Sequence, residues 1–186
     1  MRVISGIAHG RKLKSPDDNL KIRPTISRIK EAVFNSISDK ISGSFFLDLY
    51  SGSGAIGIEA LSRGAEKCFF VEHNKLCAKI IKENLFLTKL IKNAEIICDD
   101  SSCSIKKLFE QKIYFHLIFM DPPYYKNLVA KTLICLEKYN LLAPGAIIIC
   151  ETSSRENIFE TYKSDRFDFF KTKKYNNVMI NYLREK

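Results

Sequence analysis

Short apolar runs alternate with helical patterns along most of the chain, beginning at residue 45. Five of these runs have the length of strands, and they are residues 45–49, 68–72, 94–98, 115–120 and 146–150. Helical spacing of apolar residues follows each of the first four runs, most clearly at residues 74–88 and 128–139. Strand, helix and strand in this rhythm predict right-handed crossovers and a parallel sheet that is buried on both faces.

The two ends of the chain depart from this rhythm. Two β-prone runs, residues 167–173 and 178–183, flank a short turn and predict an antiparallel hairpin at one edge of the sheet. Pro24 opens an amphipathic helix before the first strand. Together the elements predict a Rossmann-like α/β fold with a mostly parallel seven-stranded sheet and helices on both faces. We expect residues 1–22 to form a basic arm and residues 23–186 to form one domain.

The net charge of +9 is unevenly distributed, since residues 1–40 hold nine Lys or Arg against four Asp or Glu. A basic segment on a nearly balanced domain suits a protein that binds a polyanion, because lysine and arginine release the counterions condensed on phosphates. A lysine-rich solvated surface would give the same composition, and charge alone does not separate the two.

The remaining composition indicates a reduced, non-membrane environment. No apolar stretch approaches the ~20 residues of a membrane span, and the first residues lack an apolar export signal. The six cysteines form no C-x-x-C pair, and the three histidines add no zinc-ligand spacing. We therefore expect a cytoplasmic protein with reduced thiols, no metal and no membrane partner, acting as a monomer.

A glycine-rich loop leaves the first predicted strand and enters a helix. Gly52-x-Gly54-x-x-Gly57 fits the dinucleotide-binding fingerprint, in which the backbone turns tightly and approaches a ligand closely. Asp48 precedes these glycines and separates the alternatives, because its charge would repel a pyrophosphate and attract an ammonium group. The α-amino group of methionine is such a cation, and S-adenosylmethionine would carry it.

Two further acidic positions complete the expected cofactor site. Glu72 ends the second predicted strand, where a carboxylate can accept hydrogen bonds from both ribose hydroxyls of an adenosine. Asp99 and Asp100 follow the third strand and either reach the adenine edge or cap the next helix. We prefer Asp100 for the adenine. The residues predicted to bind the cofactor are Asp48, Ser51, Gly52, Gly54, Glu72 and Asp100.

The fourth predicted strand ends in Asp121-Pro122-Pro123-Tyr124, which we interpret as the catalytic loop. An exocyclic base amine is a poor nucleophile because its lone pair is delocalised into the ring. If Asp121 and the Pro122 carbonyl each accept one N–H, the nitrogen becomes more tetrahedral and its lone pair is directed at a methyl donor. Pro122 and Pro123 hold the loop rigidly and add no competing N–H. Tyr124 offers a face for stacking of the target base.

With both motifs in place, the chain resembles the bacterial 16S ribosomal RNA guanine-N2 methyltransferases of the RsmD type, within class I methyltransferases. The segments that carry the resemblance are Arg2-x-Ile4-x-Gly6, Gly10-Arg11-Lys12-Leu13, Arg23-Pro24-Thr25, Arg28-x-x-Glu31-Ala32-x-Phe34-Asn35, Asp48 to Ala65, Asp121-Pro122-Pro123-Tyr124 and Glu151. The resemblance implies S-adenosylmethionine as donor, N2-methylguanosine as product and 16S rRNA in a partly assembled small subunit as substrate. It also implies that Arg23 and Thr25 border the active site.

The expected RNA contacts and two departures from the family pattern follow from this resemblance and the basic arm. The residues predicted to contact RNA are Arg2, Arg11, Lys12, Arg23, Thr25 and Arg28. Tyr175-Asn176 replaces the usual Tyr-Gly near the last hairpin, and asparagine tolerates the left-handed backbone that such a turn needs. Tyr50-Ser51 replaces the commoner Phe-Ala, which we interpret as a mild change.

Three rival functions remain open at this point. An NAD-dependent oxidoreductase would use the same glycine loop, but it leaves Asp48 and the Asp-Pro-Pro-Tyr loop without a purpose. A catalytically inert RNA-binding protein would need only the basic arm, and the intact Asp121, Gly52 and Gly54 speak against it. Adenine-N6 methylation of DNA would use the same loop, and the short chain, with no separate target-recognition domain, favours RNA.

Overall fold

The computed structural model describes residues 1–16, 24–124 and 127–186. The helices are α1 (Pro24–Ser36), α2 (Ser38–Ile41), α3 (Ala55–Ser62), α4 (Lys75–Thr88), α5 (Ser101–Glu110), α6 (Leu128–Lys138) and α7 (Ile158–Thr161), with one 3-10 turn at Ile91–Asn93. The strands are β1 (Phe45–Leu49), β2 (Lys67–Val71), β3 (Ala94–Ile97), β4 (Phe115–Met120), β5 (Leu142–Ser153), β6 (Phe167–Tyr175) and β7 (Val178–Glu185). Within these described ranges, no helix is long and apolar enough to cross a membrane.

The seven strands form one sheet in the order β3-β2-β1-β4-β5-β7-β6. The first five strands are parallel, whereas β7 runs antiparallel to both β5 and β6. This arrangement confirms the predicted mostly parallel sheet with a C-terminal antiparallel hairpin. Strand order reverses between β1 and β4, and ligands bind at the carboxyl ends of strands at such a switch point.

Both faces of the sheet are covered, so its central strands are apolar at nearly every position. Phe46 in β1 packs into the core on one face, while its neighbour Leu47 packs into the core on the other face. The first core contains α1, α3 and α4, and the second contains α5 and α6. Because side chains of β1 and β4 pack into both cores, the ends of these strands are held firmly in position.

Three boundaries differ from the sequence prediction. Strand β5 extends beyond the predicted residues 146–150 on both sides, because Leu142 pairs with Phe115 of β4 at one end and Ser153 pairs with Val178 of β7 at the other. The first predicted helix ends at Ser36, and the short α2 follows. The last turn contains only Asn176 and Asn177, and Asn176 has a φ of 51°. The turn therefore forms with asparagine in the left-handed conformation, as expected.

The first sixteen residues pack against the domain. A bridge between Arg2 and Lys12 closes an antiparallel turn, and Val3 and Leu13 are buried in the first core. Gly6 lies so close to α3 that a Cβ placed on it would be 1.7 Å from the Ser62 carbonyl oxygen. The predicted boundary between arm and domain, at residues 22 and 23, lies outside the described residues.

Candidate active site

The glycine loop joins β1 to α3 beneath a cavity of about 510 Å³. Gly54 caps α3 with a φ of 76°, a left-handed conformation that favours glycine. Gly57 lies in the first turn of α3, and a Cβ placed on it would be 2.3 Å from the Phe70 ring and 2.6 Å from Cys68 Sγ. The loop is thus tight because of its backbone conformation, and α3 approaches β2 closely because Gly57 has no side chain.

Asp48, near the end of β1, is only 2% exposed and lines this cavity. Its Oδ2 accepts a hydrogen bond of 3.0 Å from the Gly57 amide. Burial raises the pKa of Asp48 to about 7, with the Gly57 hydrogen bond opposing the rise and the Glu72 charge adding to it. A cation bound beside Asp48 would favour its ionised form.

Glu72 directly follows β2 and connects it to the glycine loop. Its Oε2 accepts a 2.9 Å hydrogen bond from the Gly52 amide, and its Oε1 accepts a 2.8 Å bond from the Asn74 amide. Ser51 turns its hydroxyl towards the protein backbone, donating to the Asp48 carbonyl at 2.6 Å. Both side chains therefore hold the loop in shape. Ser51 and Gly52 line the main cavity, and Glu72 lines a second cavity of about 400 Å³ beside it.

Asp100 caps helix α5, the alternative role that the sequence left open. Its Oδ1 accepts a 2.8 Å hydrogen bond from the Ser102 amide. Asp99 accepts from the Asp100 amide and forms a 2.6 Å ion pair with Lys107. The described residues that line the two cavities do not include Asp99 or Asp100. Contact of Asp100 with adenine stays a prediction.

The Asp-Pro-Pro-Tyr loop begins immediately after β4 and faces the main cavity with Asp121 and Tyr124. Asp121 is exposed in the cleft, yet its pKa is raised well above its usual range by the protein atoms packed around it, by Glu151 and by Asp48. Pro122 and Pro123 line the second cavity together with Glu72. The structure thus brings the predicted catalytic loop and the glycine loop to the same cleft.

Tyr124 is half-buried, and its hydroxyl donates a 2.7 Å hydrogen bond to Glu151 Oε1. Burial, followed by this hydrogen bond and the charge of Glu151, raises the pKa of Tyr124, which keeps the phenol neutral. The ring is therefore anchored at its hydroxyl end. The Asn176–Asn177 turn lines the main cavity, so the C-terminal hairpin contributes to the site.

The predicted RNA contacts fall into a described and an undescribed group. The side chains of Arg2, Arg11, Lys12 and Arg28 are exposed on the arm and on α1. Arg2 donates a 2.9 Å hydrogen bond to the Gly10 carbonyl across the turn of the arm. Arg23 and the side chain of Thr25 lie outside the described residues, so their expected place at the border of the active site stays a prediction.

A buried ion cluster that sequence analysis missed connects the arm to α1 and α3. Glu59, which is 0% exposed, accepts hydrogen bonds from the Ile4 and Ser5 amides and from Arg63, and it pairs with Lys30 at 2.9 Å. We call these five residues the Glu59 clamp. The main cavity includes Lys30 in its wall. The contacts between α1, α3 and the arm join residues 29 to 55 positions apart, and no local pattern in the sequence indicates them.

Tyr50 also has a structural role that the sequence analysis did not predict. It has a φ of 64°, and its hydroxyl lies 2.9 Å from Ser101 Oγ and 2.7 Å from Thr132 Oγ1. The two bonds connect the glycine loop to α5 and α6. The exchange of phenylalanine for tyrosine at this position therefore adds a polar bridge, which is more than the mild change expected.

Sequences of known proteins match this chain over most of its length. The chain matches the family described as "Conserved hypothetical protein 95" over residues 1–184. It is 36% identical to a putative rRNA methyltransferase, YlbH, of Bacillus subtilis, over 87% of each chain. It is 37% identical to the ribosomal RNA small subunit methyltransferase D of Haemophilus influenzae, over 82% of this chain and 78% of that protein.

Solved structures give the same result. The putative methyltransferase yhhF from Escherichia coli has a TM-score of 0.83 and 28% identity, and the putative methylase HI0767 from Haemophilus influenzae has a TM-score of 0.82 and 32% identity. Each comparison covers 100% of this chain and 98% of the other chain. The fold is that of the class I methyltransferases. Within that class, the chain belongs to the RsmD-type family, "Conserved hypothetical protein 95".

Proposed function

We propose that this protein transfers a methyl group from S-adenosylmethionine to the exocyclic N2 amine of a guanine in 16S rRNA, within a small-subunit assembly particle, as a cytoplasmic monomer. One observation carries the proposal: Asp48 and Asp121, at the carboxyl ends of the adjacent strands β1 and β4, line one cavity. The name of the Haemophilus influenzae relative, ribosomal RNA small subunit methyltransferase D, supports the choice of substrate.

The residues around the glycine loop fit the donor. Asp48 would face the ammonium of the methionine portion, which would favour the ionised carboxylate despite burial. Glu72 already accepts two backbone amides, and a carboxylate has further lone-pair sites for the ribose hydroxyls. Ser51, Gly52 and Gly54 would shape the floor beneath the methionine portion. Asp100 would contact the adenine from the start of α5.

The catalytic loop would orient the acceptor amine. Asp121 Oδ and the Pro122 carbonyl would each accept one N–H, so that the nitrogen lone pair points into the cavity. Pro123 would keep that carbonyl in place because its ring fixes φ and it has no N–H. The bound donor supplies a methyl group that is already activated on a sulfonium, so the chain needs position more than a strong base.

RNA would reach this loop through the exposed cations of the arm and α1. Phosphate contacts from Arg2, Arg11, Lys12 and Arg28 would position the substrate without specifying its sequence. Arg23 and Thr25 would border the active site, as the family resemblance implies. The target guanine must leave its stack, and the Tyr124 ring, anchored on Glu151, would offer it a stacking face worth about 1–3 kcal/mol.

Methylation of small-subunit particles tests this proposal directly. Particles from a strain that lacks the activity are incubated with the protein and labelled donor, and the modified base is identified by mass spectrometry. We expect N2-methylguanosine, and Asp121→Ala should lower the rate by about 10²–10⁴-fold with donor affinity retained by calorimetry.

Three outcomes would contradict the proposal in different ways. Methylated adenine in DNA would show that the loop serves another base. Binding of NADH in place of S-adenosylmethionine would overturn the cofactor assignment. Full activity of Asp121→Ala would show that this carboxylate does not orient the amine.

A further inference from the structure

Glu151 lies beside Asp121 at the carboxyl edge of the sheet. Strands β4 and β5 are parallel, and Met120 is paired with Cys150. The next residues along each strand, Asp121 and Glu151, therefore occupy neighbouring positions on strands that lie about 4.8 Å apart. Both side chains line the main cavity. The negative charge of Glu151 therefore acts directly on Asp121, the carboxylate that we expect to contact the substrate.

Glu151 also contacts the catalytic loop at its other end. Its Oε1 accepts the 2.7 Å hydrogen bond from the Tyr124 hydroxyl. One residue of β5 is thereby linked to both chemically important side chains of the loop, electrostatically to Asp121 and by a hydrogen bond to Tyr124. Strand β5 is paired on both sides, with β4 and β7, so the backbone that carries Glu151 is held rigidly.

The reaction proposed above must release one proton. The amine nitrogen forms the new N–C bond with its lone pair, while the S–C bond breaks and sulfur keeps that electron pair. The positive charge thereby moves from sulfur to nitrogen, and nitrogen gives up one proton. Asp121, as the carboxylate that accepts an amine N–H, is placed to take this proton and later to pass it to solvent.

We propose that Glu151 is a positioning residue that acts through its two neighbours: its charge makes Asp121 a stronger proton acceptor, and its Oε1 holds the Tyr124 ring for the target base. The proposal rests on the function proposed above. It differs from a purely structural role, because a neutral residue of the same shape at position 151 would keep the Tyr124 hydrogen bond and lose the effect on Asp121.

The electrostatics of the described residues agree with this proposal. The protein atoms packed around Asp121 have the largest effect in raising its pKa, and the charge of Glu151 raises it more than that of Asp48 does. Burial likewise raises the pKa of Glu151, against the opposing effect of the Tyr124 hydrogen bond. Other titratable groups in the walls of the two cavities come from α1, β1 and the loop after it, β6 and the end of β2. They include Lys30, Asp48, Tyr50, Tyr175, Glu72 and His73.

Glu151→Gln provides the test, because glutamine keeps an oxygen for Tyr124 and removes the charge. In the ligand-free protein, the ¹³C signal of the Asp121 carboxyl should titrate at lower pH in Glu151→Gln than in the wild type. The activity of the wild type should fall as the pH decreases through the raised pKa of Asp121. The acid limb of kcat/KM should therefore move to lower pH in the variant, with kcat about three- to tenfold lower.

Three further variants keep the proposal falsifiable. Glu151→Ala, which also removes the hydrogen-bond acceptor, should add a rise in KM that Tyr124→Phe reproduces. Glu156→Gln removes another charge that acts on Tyr124 and should leave the Asp121 titration unchanged. An unshifted Asp121 titration in Glu151→Gln, or an equal shift in Glu156→Gln, would overturn the proposal. If the wild type methylates no RNA, the proposed function fails while the titration still reports on this inference.

Discussion

Two buried carboxylates, one within helix α3 and one bonded to its first turn, have opposite electrostatic surroundings. Glu59, within the helix, is held by Lys30, Arg63 and two amides of the arm. Burial alone would raise the pKa of Glu59, but these donors outweigh burial and lower it. Burial raises the pKa of Asp48, the charge of Glu72 adds to the rise, and the hydrogen bond from the amide of Gly57 in the first turn of α3 only opposes it.

The difference separates a structural charge from a functional one. The Glu59 clamp uses its charge inside the protein, where each donor is already satisfied by the carboxylate. The main cavity instead contains Asp48, Asp121 and Glu151 around open space, so their charges are available to a cation. Raised carboxylate pKa values of this kind are typical of sites that bind or transfer charge.

The largest expected effect comes from breaking the clamp. Glu59→Ala would leave Lys30 buried beside an empty space and free the Ile4 and Ser5 amides from their acceptor. The loss of one partner of a buried ion pair costs about 3–5 kcal/mol of unfolding free energy. Urea denaturation measures this loss, and Glu110→Ala, at an exposed pair with Lys106, serves as a control with little expected change. A small loss in Glu59→Ala would mean that the clamp does not hold the arm.

The second prediction concerns Asp48, where we expect a substitution to increase the free energy of unfolding. Because the folded protein raises the pKa of Asp48 to about 7, the stability from its protonated form is complete below about pH 4 and is lost as the pH rises through about 7. Asp48→Asn should remove this loss, so the variant should gain on the order of 1–4 kcal/mol relative to wild type between pH 5 and pH 8. Calorimetric unfolding at several pH values measures the difference.

The surface carboxylate Asp39 supplies the matched control for this experiment. Asp39→Asn lies in the exposed part of α2 and should leave the pH dependence of unfolding as in the wild type. If Asp48→Asn also follows the wild-type pH dependence, Asp48 is not the destabilised carboxylate of the site, and the contrast with Glu59 disappears.

The smallest effect is expected at the exposed cations of the arm, Arg11 and Lys12, together with Arg23. Neutralising Arg11, Lys12 and Arg23 with glutamine should reduce the dependence of RNA affinity on salt by about 0.7 in log–log slope for each phosphate that the protein no longer neutralises. Fluorescence titration at several salt concentrations measures the slope, with Lys106→Gln on α5 as control. An unchanged slope would show that the clamp serves stability and that the arm does not bind phosphate.

Much of the fold was predictable because its signals are local. The apolar runs at 45–49 and 115–120 matched their strands, since a strand buried on both faces must be apolar at nearly every position. The glycine loop and the Asp-Pro-Pro-Tyr loop were located correctly at strand ends for the same reason. Boundaries that depend on a partner strand were less accurate, as at β5, which is extended at its start by pairing with β4 and at its end by pairing with β7.

The sequence by itself determined which chemical groups the protein has and at which strand ends they lie, because hydrophobic periodicity and turn residues act over a few neighbouring positions. Only the tertiary structure decided that Glu59 binds the backbone amides of the arm and that Glu151 lies beside Asp121 and contacts Tyr124. These contacts connect residues 27 to 55 positions apart. They depend on sheet register and helix packing. These are stabilised by residues that are far apart in the sequence and that come into contact only when the whole core forms.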